Sequence, residues 1–495
     1  MSNNKLTFAE LTNHLWSAAD ILRGSVDANE FRQPIMTLLF LKRLNDQFEE
    51  KAESLEKKLG NKKAAWEDPD YHAFFVPKEA YWKEIRDSFE NIGEKVDSVC
   101  TILEHNNQQL EGVLTNTSYN DKKRFPDDVL LQLVTHFNKK RLRNSDLENE
   151  DIFGQSYEYL LAQFADSAGK SAGEFFTPRE VVNLMIEILK PKEGMKICDP
   201  TCGSGGMLIW SRKYIEEHHQ NPQNVTLHGQ ERNYGNYGMC KMNMILHGIE
   251  NFRIEHENTI TNPLLVENGK LIKYDLVIAN YPFSMEWNPS IAQNDAYHRF
   301  ALGSPSKSYA DFAFIQHMYS ILNNDGRAAI ISSQGVLFRG SQEEKIRTSL
   351  VENDVIEGII ALPANLFFAT GIPACILLLN KNKPKERKNK VIFVYAANDF
   401  GKGKTRDILR QEDISKILNC LKNFEYVEHY CHVADINEIK EKDFDLNVLK
   451  YVDISEPEKI IDIQQVINEL KELEVNSKEA EKILNKNLKE LGFTI

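Results

Sequence analysis

The segment KICDPTCGSGGML at 196–208 combines a short apolar strand, a loop of closely spaced glycines and the start of a helix. The predicted strand ends at Asp199, and a helical pattern resumes at Met207. The loop between them holds Gly203, Ser204, Gly205 and Gly206. Glycines here let a ligand approach the backbone closely, although a glycine cluster alone is as readily a plain tight turn. The position between a strand and a helix favours a ligand, and the GxGxxG spacing of a dinucleotide site is missing.

Around this segment, short apolar runs alternate with helical stretches, the pattern of a parallel sheet covered by helices. Most runs are continuous rather than alternating, as expected for strands buried on both faces. The candidate strands are Lys196 to Asp199, Thr226 to Gln230, Asp275 to Ala279, Arg327 to Ser332, Val355 to Ala361, Ala374 to Leu379 and Val391 to Tyr395. The sequence therefore predicts an α/β domain with a doubly wound sheet.

Helical patterns flank the predicted sheet. The first 150 or so residues carry apolar positions at three- and four-residue steps, and we expect the strands to stop after about Asn398. A charged helical pattern with an apolar stripe fills 456–491, and it packs either on its own protein or on a partner. We therefore predict an N-terminal helical domain (1–150), an α/β domain (151–400) and a C-terminal region with a partner-docking helix (401–495).

A carboxylate follows the next predicted strand, in VTLHGQERN at 225–233. Glu231 at the carboxyl end of that strand can accept hydrogen bonds from both hydroxyls of a ribose. An exposed Glu that caps a helix is the alternative. Because the glycine loop lies one strand earlier in the same order, the ribose role is favoured.

The segment YDLVIANYPFS at 274–284 is a buried strand that ends abruptly in Asn280, Tyr281, Pro282 and Phe283. One chemistry explains this set of residues: activation of an exocyclic amino group such as that of adenine. The amino nitrogen of adenine is a poor nucleophile because its lone pair is conjugated with the ring. The Asn280 side-chain oxygen and the Tyr281 carbonyl can accept both amino hydrogens and free that lone pair. Pro282 fixes where the carbonyl points, and Phe283 offers a face on which a rotated base can stack. The alternative is a strand end followed by a proline turn.

These motifs resemble those of amino-group DNA methyltransferases. The AspProxCysGlySerGlyGly loop is similar to their cofactor loop, whose backbone faces the methionine part of S-adenosylmethionine, and the segment at 280–283 resembles their AsnProProPhe or AsnProProTyr signature. Tyr281 replaces the first proline, which alters stiffness more than chemistry because the family uses that position through its carbonyl.

The same resemblance extends to two further segments. Asn258 stands where the family often carries an Asp near the cofactor's adenine, so the residue departs from the pattern. Upstream of the glycine loop, the resemblance implies a cofactor-pocket lining of Glu174, Phe175, Phe176, Thr177, Pro178 and Arg179. Helix capping alone also explains part of this segment, with Thr177 as the N-cap and Pro178 in the first turn.

Longer stretches narrow the family. The segments 308–318, 326–340 and 355–381 resemble the body of the modification subunits of type I restriction-modification systems. The stretch 15–44 is similar to their N-terminal helical domain, and 444–452 to their C-terminal segment. The resemblance implies a Rossmann-like methyltransferase fold with an N-terminal helical domain and a C-terminal helical tail. It also implies an enzyme that methylates N6 of a flipped adenine in double-stranded DNA, with S-adenosylmethionine as the cofactor.

The resemblance further implies partners: a specificity subunit, with two modification subunits for each specificity subunit, and a restriction subunit with nuclease and translocase functions. Two other functions stay open. The motif at 280–283 also suits methylation of a protein glutamine or of adenine in RNA, and a non-catalytic scaffold subunit would keep the fold. Tyr281 is the only sequence feature in favour of the scaffold.

Composition sets the remaining limits. The net charge of −13 argues against a chain that grips DNA alone, although basic runs occur at 139–143 and 381–390. Those runs are either solvated loops or a small basic surface. The chain has no apolar run of membrane length and no signal pattern at its start, so we expect a cytoplasmic protein without membrane contacts. Seven scattered cysteines without a CxxC pair predict reduced thiols and no metal site.

Overall fold

A computed structural model of the chain describes residues 5–22, 32–149, 151–167, 176–367, 371–455 and 463–492. By their contacts the residues form two units, 1–452 and 453–495. In the described ranges, every helix is too short or too polar to serve as a transmembrane span.

A mixed nine-stranded sheet forms the centre of the first unit. In chain order the strands are β1 (Lys196–Asp199), β2 (Thr226–Glu231), β3 (Phe252–His256), β4 (Val266–Glu267), β5 (Lys270–Leu271), β6 (Tyr274–Asn280), β7 (Leu322–Ser333), β8 (Ile356–Ala361), β9 (Ala374–Asn380), β10 (Lys390–Tyr395), β11 (Gly401–Lys402), β12 (Asp407–Ile408) and β13 (Cys431–Asp435). The order in the sheet is β13-β10-β8-β9-β7-β6-β1-β2-β3, and the pairs β4-β5 and β11-β12 stand apart. The predicted doubly wound α/β class is confirmed.

Strand β1 pairs in parallel with β2 on one side and with β6 on the other. Asp199 lies opposite Gly229 of β2, and Cys198 lies opposite Val277 of β6. Parallel strands end at the same edge of a sheet, so the loops after β1, β2 and β6 open side by side there.

The sheet departs from an all-parallel arrangement at β9, which runs antiparallel between β7 and β8. The connection from β8 to β9 covers 362–373, and no helix is described within it. At twelve residues, this connection is at the lower limit of length for a parallel crossover, which usually contains a helix.

Two edge strands were missed by the sequence analysis. The expectation that strands stop near Asn398 is wrong, because β13 pairs antiparallel with β10 and forms one edge of the sheet. Strand β3 forms the other edge. Both are half-exposed and carry charged or polar side chains, as in FRIEH, so neither shows the continuous apolar run of a buried strand.

Helices surround the sheet and build the N-terminal region. They are α1 (Phe8–Leu22), α2 (Arg32–Leu59), α3 (Lys62–Glu67), α4 (Trp82–Arg86), α5 (Ile92–Asn106), α6 (Asp127–Asn138), α7 (Asp151–Ser167), α8 (Arg179–Leu189), α9 (Gly206–Glu217), α10 (Tyr234–Leu246), α11 (Ser290–Gln293), α12 (Asp311–Ile321), α13 (Gln342–Glu352), α14 (Gln411–Asn423), α15 (Ile436–Glu441) and α16 (Ile463–Glu490). The predicted N-terminal helical region is confirmed.

The N-terminal helices share one apolar core with part of the sheet region. This core includes buried residues of α1, α2, α5, α6 and α7, together with Met239 and Met242 of α10. Contact between the two regions is close: a Cβ built on Gly154 of α7 would lie 2.6 Å from the His247 ring, and one on Gly238 of α10 would lie 2.5 Å from Asn116 Nδ2. A larger residue at either position would have to displace a neighbouring side chain of the other region.

Half of the cations in the basic run at 381–390 make contacts within the protein. Lys383 Nζ lies 2.6 Å from Asp354 and is buried, Arg387 Nη1 lies 3.2 Å from Glu357, and Lys381 Nζ donates to the Leu322 carbonyl. These contacts occupy three of the six cations of the run, and the other three, Lys385, Lys388 and Lys390, are exposed.

The second unit contains the C-terminal helix α16, which confirms the predicted helical tail. Its apolar side chains recur at three- and four-residue steps and are exposed: Val466 (40%), Ile467 (38%), Leu470 (55%) and Leu473 (65%). An apolar stripe with this spacing is typical of a helix that packs on another surface.

Candidate functional site

Three polar side chains end the neighbouring strands β1, β2 and β6: Asp199, Glu231 and Asn280. They meet at one edge of the sheet because the three strands are parallel. Two cavities open there. The first, the glycine-loop cavity, includes Thr177, Asp199, Gly203, Ser204, Gly206 and Asn280 in its lining. The second, the Glu231 cavity, includes Glu231, Asn258, Asn280 and Pro282. Thr201 and Asn280 line both cavities, so the cavities are adjacent.

The glycine loop after β1 has the backbone that its sequence predicts. Gly203 and Gly205 have φ angles of 51° and 80°, in the left-handed region that glycine adopts at little cost. A Cβ on Gly205 would also lie 2.8 Å from Cys240 Sγ, whereas one on Gly206 would meet nothing within 4 Å. The loop is therefore packed on one side and open on the cavity side at Gly206.

Asp199 is a buried carboxyl that accepts a hydrogen bond from the backbone N–H of Thr201, at 3.0 Å. Burial raises the pKa of this carboxyl to about 8, and the nearby Glu231 contributes in the same direction. A carboxyl with this pKa is largely protonated at neutral pH, and a cation brought into the cavity would favour its charged form.

Glu231 connects the loop that follows β1 with the loop that follows β2. One carboxylate oxygen accepts the Gly203 N–H at 2.9 Å and the other accepts the Asn233 N–H at 2.7 Å. Burial raises its pKa, while these backbone hydrogen bonds oppose the rise. Each carboxylate oxygen has two lone pairs, so the side chain can still accept hydrogen bonds from a ligand.

Asn280 is held by the segment that precedes α8. Its amide nitrogen donates to the Thr177 hydroxyl at 3.0 Å, which leaves the amide oxygen as an acceptor. The prediction that Thr177 caps the helix is wrong. Helix α8 begins at Arg179 with Pro178 in the cap position and no side-chain cap. The hydroxyl is engaged by Asn280, on a strand 103 residues later, a contact that local sequence rules do not detect.

Tyr281 is fixed by its side chain. It is 1% exposed, its hydroxyl is hydrogen-bonded to Ser332, and its ring stacks on Phe314 at 5.1 Å. Burial raises the pKa of this phenol well above its usual range. The half-buried Phe283 lies edge-on to Tyr281 at 5.6 Å. Neither aromatic side chain lines the two cavities.

A buried ion pair supports the next residue of this loop. The Ser284 N–H donates to Asp311 Oδ1 at 3.0 Å, and the other Asp311 oxygen accepts from Arg339 at 2.5 Å. Asp311 is fully buried, so loss of Arg339 would leave its charge uncompensated, whereas Arg339 also contacts Glu343 at 3.4 Å.

Asn258 lies in the lining of the Glu231 cavity, and its amide oxygen accepts the Ile260 N–H at 2.9 Å. Through this hydrogen bond, the Asn258 side chain stabilises the loop in which it lies. The buried Gln230 holds the same loop, since it donates to the Asn262 carbonyl at 2.9 Å and accepts the Leu264 N–H at 3.0 Å.

Among the remaining predicted site residues, Phe176 and Arg179 line the glycine-loop cavity, and Pro178 and Gly205 line neither cavity. Glu174 and Phe175 lie outside the described residues.

Comparison with known proteins places this site in a family. Residues 148–459 match N-6 DNA Methylase, and residues 11–137 match the HsdM N-terminal domain. The first match covers more than half of the chain.

The chain belongs to the N-6 DNA methylase family.

Relatives narrow the family to methylase subunits of type I restriction enzymes. The MjaVII methylase subunit of Methanocaldococcus jannaschii is 32% identical over 97% of this chain and 84% of its own length. The HindI methylase subunit of Haemophilus influenzae is 34% identical over 82% of this chain and 94% of its own length. This methyltransferase is therefore a type I modification subunit.

A solved structure supports the same family assignment. The type I restriction-modification methyltransferase subunit of Streptococcus thermophilus is 31% identical, and the alignment covers 90% of this chain and all of that one with a TM-score of 0.79. The modification subunit from Vibrio vulnificus, at 21% identity and a TM-score of 0.64, shares the fold.

The structure of the methyltransferase adds a cavity wall that the sequence analysis missed. Phe8 of α1 and four residues of α7 line the glycine-loop cavity: Gln155, Glu158, Tyr159 and Ala162. The helical region therefore forms part of the site. Each of these residues lies in an ordinary helical pattern, and local sequence carries no signal that α7 lines the cavity beside the glycine loop.

Metal ligands are absent from the described part of the methyltransferase, where no group of three or more His, Cys, Asp or Glu side chains could hold a metal ion. The seven cysteines are free and buried. Burial lowers the pKa of His317 to about 3, and that of His228 to about 4, so both rings are neutral near pH 7.

We expect Asp199→Asn to stabilise the ligand-free methyltransferase at pH 8. Because the folded-state pKa is raised, the folded carboxyl holds its proton where the unfolded one has lost it, so stability falls as pH rises from about 4 to about 8. The variant removes this slope and should raise the thermal midpoint at pH 8 by about 2–5 °C.

Thermal unfolding between pH 5 and pH 8.5 measures the effect. Glu217→Gln, at an exposed position of the helix that follows the glycine loop, is the control. A wild-type slope retained in Asp199→Asn would show that Asp199 does not titrate in this range.

Proposed function

We propose that this modification subunit binds S-adenosylmethionine across the two cavities and transfers its methyl group to N6 of an adenine in double-stranded DNA. The methionine part would lie in the glycine-loop cavity and the adenosine part in the Glu231 cavity. The observation that carries the proposal is the position of Asn280, which lines both cavities and whose amide is oriented by Thr177.

The chemistry of the first cavity fits this cofactor. When bound, S-adenosylmethionine supplies a methyl group activated by a positively charged sulfonium, and it carries a second positive charge on its ammonium. Asp199 and Glu158 are carboxyls in this cavity whose pKa values burial raises to about 8 and about 7. A ligand with two positive charges stabilises the ionised form of both. The open space at Gly206 lets such a ligand contact the backbone.

In the second cavity, Glu231 would accept hydrogen bonds from the ribose hydroxyls through lone pairs that its backbone donors leave available. Asn258 is proposed to contribute mainly by shaping the loop beside the adenine of the cofactor, since its oxygen already accepts the Ile260 N–H. Thr201 and the predicted loop residues Gly203, Ser204 and Gly206, which line the cavities, would contact the cofactor through their backbone.

The target adenine would be rotated out of the duplex, at a cost of a few kcal/mol, and enter beside Asn280. The Asn280 amide oxygen and the Tyr281 carbonyl would accept its two amino hydrogens, so the nitrogen lone pair can attack the methyl group. Pro282 restrains Tyr281 to an extended backbone, and Phe283 would stack on the base.

Tyr281 supports rather than weakens this proposal. A proline at this position would restrain the backbone through its ring, whereas Tyr281 is restrained by its stack on Phe314 and its hydrogen bond to Ser332. The carbonyl needed for the reaction is unchanged by the substitution. The scaffold alternative thus loses the one sequence feature that favoured it.

Partners are part of the proposal. The acidic net charge argues against strong DNA binding by this chain alone. From the resemblance to type I modification subunits, we propose that a specificity subunit supplies the affinity for double-stranded DNA, with two modification subunits for each specificity subunit. The exposed apolar stripe of α16 would dock on that subunit, and a restriction subunit would complete the nuclease complex in the cytoplasm. The proposal keeps the predicted metal-free chemistry.

Transfer of labelled methyl from S-adenosylmethionine to unmethylated plasmid DNA tests the reaction. With the specificity subunit present, label should appear on adenine N6, and Asn280→Ala should lower the rate at least 100-fold because one acceptor of the amino hydrogens is lost. Label on protein or RNA instead of DNA would favour those acceptors. Cofactor binding without any transfer would favour the scaffold.

Thr177→Val should lower the single-turnover rate of methyl transfer about 10-fold and leave cofactor affinity within about twofold, because it frees the Asn280 amide to rotate. Thr177→Ser keeps a hydroxyl and should restore the rate. If the valine variant loses affinity and rate together, Thr177 acts in cofactor binding rather than in positioning Asn280.

Replacement of Leu470 and Leu473 by glutamate should abolish co-purification with the specificity subunit, since it places charges in the apolar stripe of α16. Lys471→Glu, at an exposed neighbouring position, is the control. Unchanged co-purification of the double variant would exclude α16 as the docking helix.

A further inference from the structure

Glu158 is a carboxylate that the N-terminal helical region places in the glycine-loop cavity. It lies on α7, and it lines the same cavity as Asp199 and Gly203, which belong to the sheet region. No motif of the methyltransferase explains an acidic side chain at this place, because α7 lies outside the glycine loop and outside the segment at 280–283.

The orientation of this carboxylate is fixed by an indole. Trp210 Nε1, on the helix that follows the glycine loop, donates to both Glu158 oxygens at 3.0 and 3.1 Å. The neighbouring cation, Arg179, lies over the Trp210 ring at 3.9 Å from the ring centre. The direct partner of the carboxylate in the structure is therefore a neutral donor, and each oxygen retains lone pairs for a ligand.

The charges around Glu158 indicate which ligand group it suits. Burial raises its pKa to about 7, although Arg179, Trp210 and Lys213 oppose the rise. A second acidic side chain of the cavity, Glu180, is already neutralised by an ion pair with Arg406. Glu158 is half-buried, and among the described residues it has no charged hydrogen-bond partner. A small cation that donates hydrogen bonds would complete such a carboxylate, and an ammonium does both.

We propose that Glu158 binds the α-ammonium group of the cofactor's methionine part, so that the N-terminal helical region contributes to binding of the amino-acid end of the cofactor. The inference rests on the proposed function, since it assigns the methionine part to this cavity. Glu158 would then be a binding residue supplied by a region that the glycine loop and the catalytic segment do not include.

Two ligands that differ at the amino-acid end test the proposal. S-adenosylhomocysteine carries the ammonium, and methylthioadenosine keeps the nucleoside and the sulfur but lacks the amino acid. Isothermal titration of the full chain should show that Glu158→Gln weakens binding of S-adenosylhomocysteine about 10- to 100-fold, the loss expected for a charge-assisted hydrogen bond. Affinity for methylthioadenosine should change less than about twofold.

Further variants separate binding from folding. Glutamine is isosteric and can still accept from Trp210, and a thermal melt checks that the variant is folded. Trp210→Phe keeps the charge but removes the orienting donor, so it should give a smaller loss with the same selectivity. Glu217→Gln removes one exposed negative charge from the same helix as Trp210 and should change neither affinity.

Each other outcome overturns the proposal. Equal weakening of both ligands in Glu158→Gln would mean that Glu158 only supports the cavity, and unchanged affinity for both would mean that the ammonium is bound elsewhere. Failure of the wild-type chain to bind either ligand would instead contradict the proposed cofactor site, and this inference would fall with it.

Discussion

The parallel pairing of β1 with both β2 and β6 is the constraint on which the site depends. It brings the ends of three strands, and hence Asp199, Glu231 and Asn280, to one edge of the sheet. The sequence separates the first and last of these residues by 81 positions. Every other feature of the site holds or completes this arrangement: Gly203 joins Glu231, Thr177 joins Asn280, and Asp311 joins the residue after Phe283.

The supports of the catalytic segment come from elements distant in the chain. Tyr281 is held by Ser332 at the end of β7, and Ser284 by Asp311 at the start of α12. These contacts give a physical role to the stretches 308–318 and 326–340, which the sequence resemblance identified without explaining. On the proposed function, the packing of Tyr281 on Phe314 and its hydrogen bond to Ser332 would supply the restraint that a proline ring would supply at this position.

Much of the fold was predictable from the sequence. All seven predicted strands are present, because strands buried on both faces produce continuous apolar runs that are easily recognised. The edge strands β3 and β13 were missed since their exposed faces carry polar residues. Strand β9 pairs antiparallel with β7 and β8, and a pattern of apolar runs does not reveal the direction of a strand.

The positions of the site residues were predictable only where a residue of recognisable chemistry directly follows a predicted strand. The glycine loop, Glu231 and Asn280 follow strands, so their convergence could be inferred. Thr177 was assigned to a helix cap because capping rules consider only neighbours within a turn, whereas its partner lies in β6. Glu158 could not be identified, since its importance comes from the packing of α7 against a helix of the sheet region.

That packing has a consequence for the lifetime of the protein. Helix α7 belongs to the apolar core of the N-terminal helices and also lines the glycine-loop cavity. A small molecule bound in that cavity would therefore stabilise the helical region and the sheet region together. By mass action, a saturating ligand at 100 times its dissociation constant adds about 2.7 kcal/mol to the resistance against unfolding. The cellular concentration of the bound ligand would then set the rate at which proteases degrade the subunit as well as its rate of reaction.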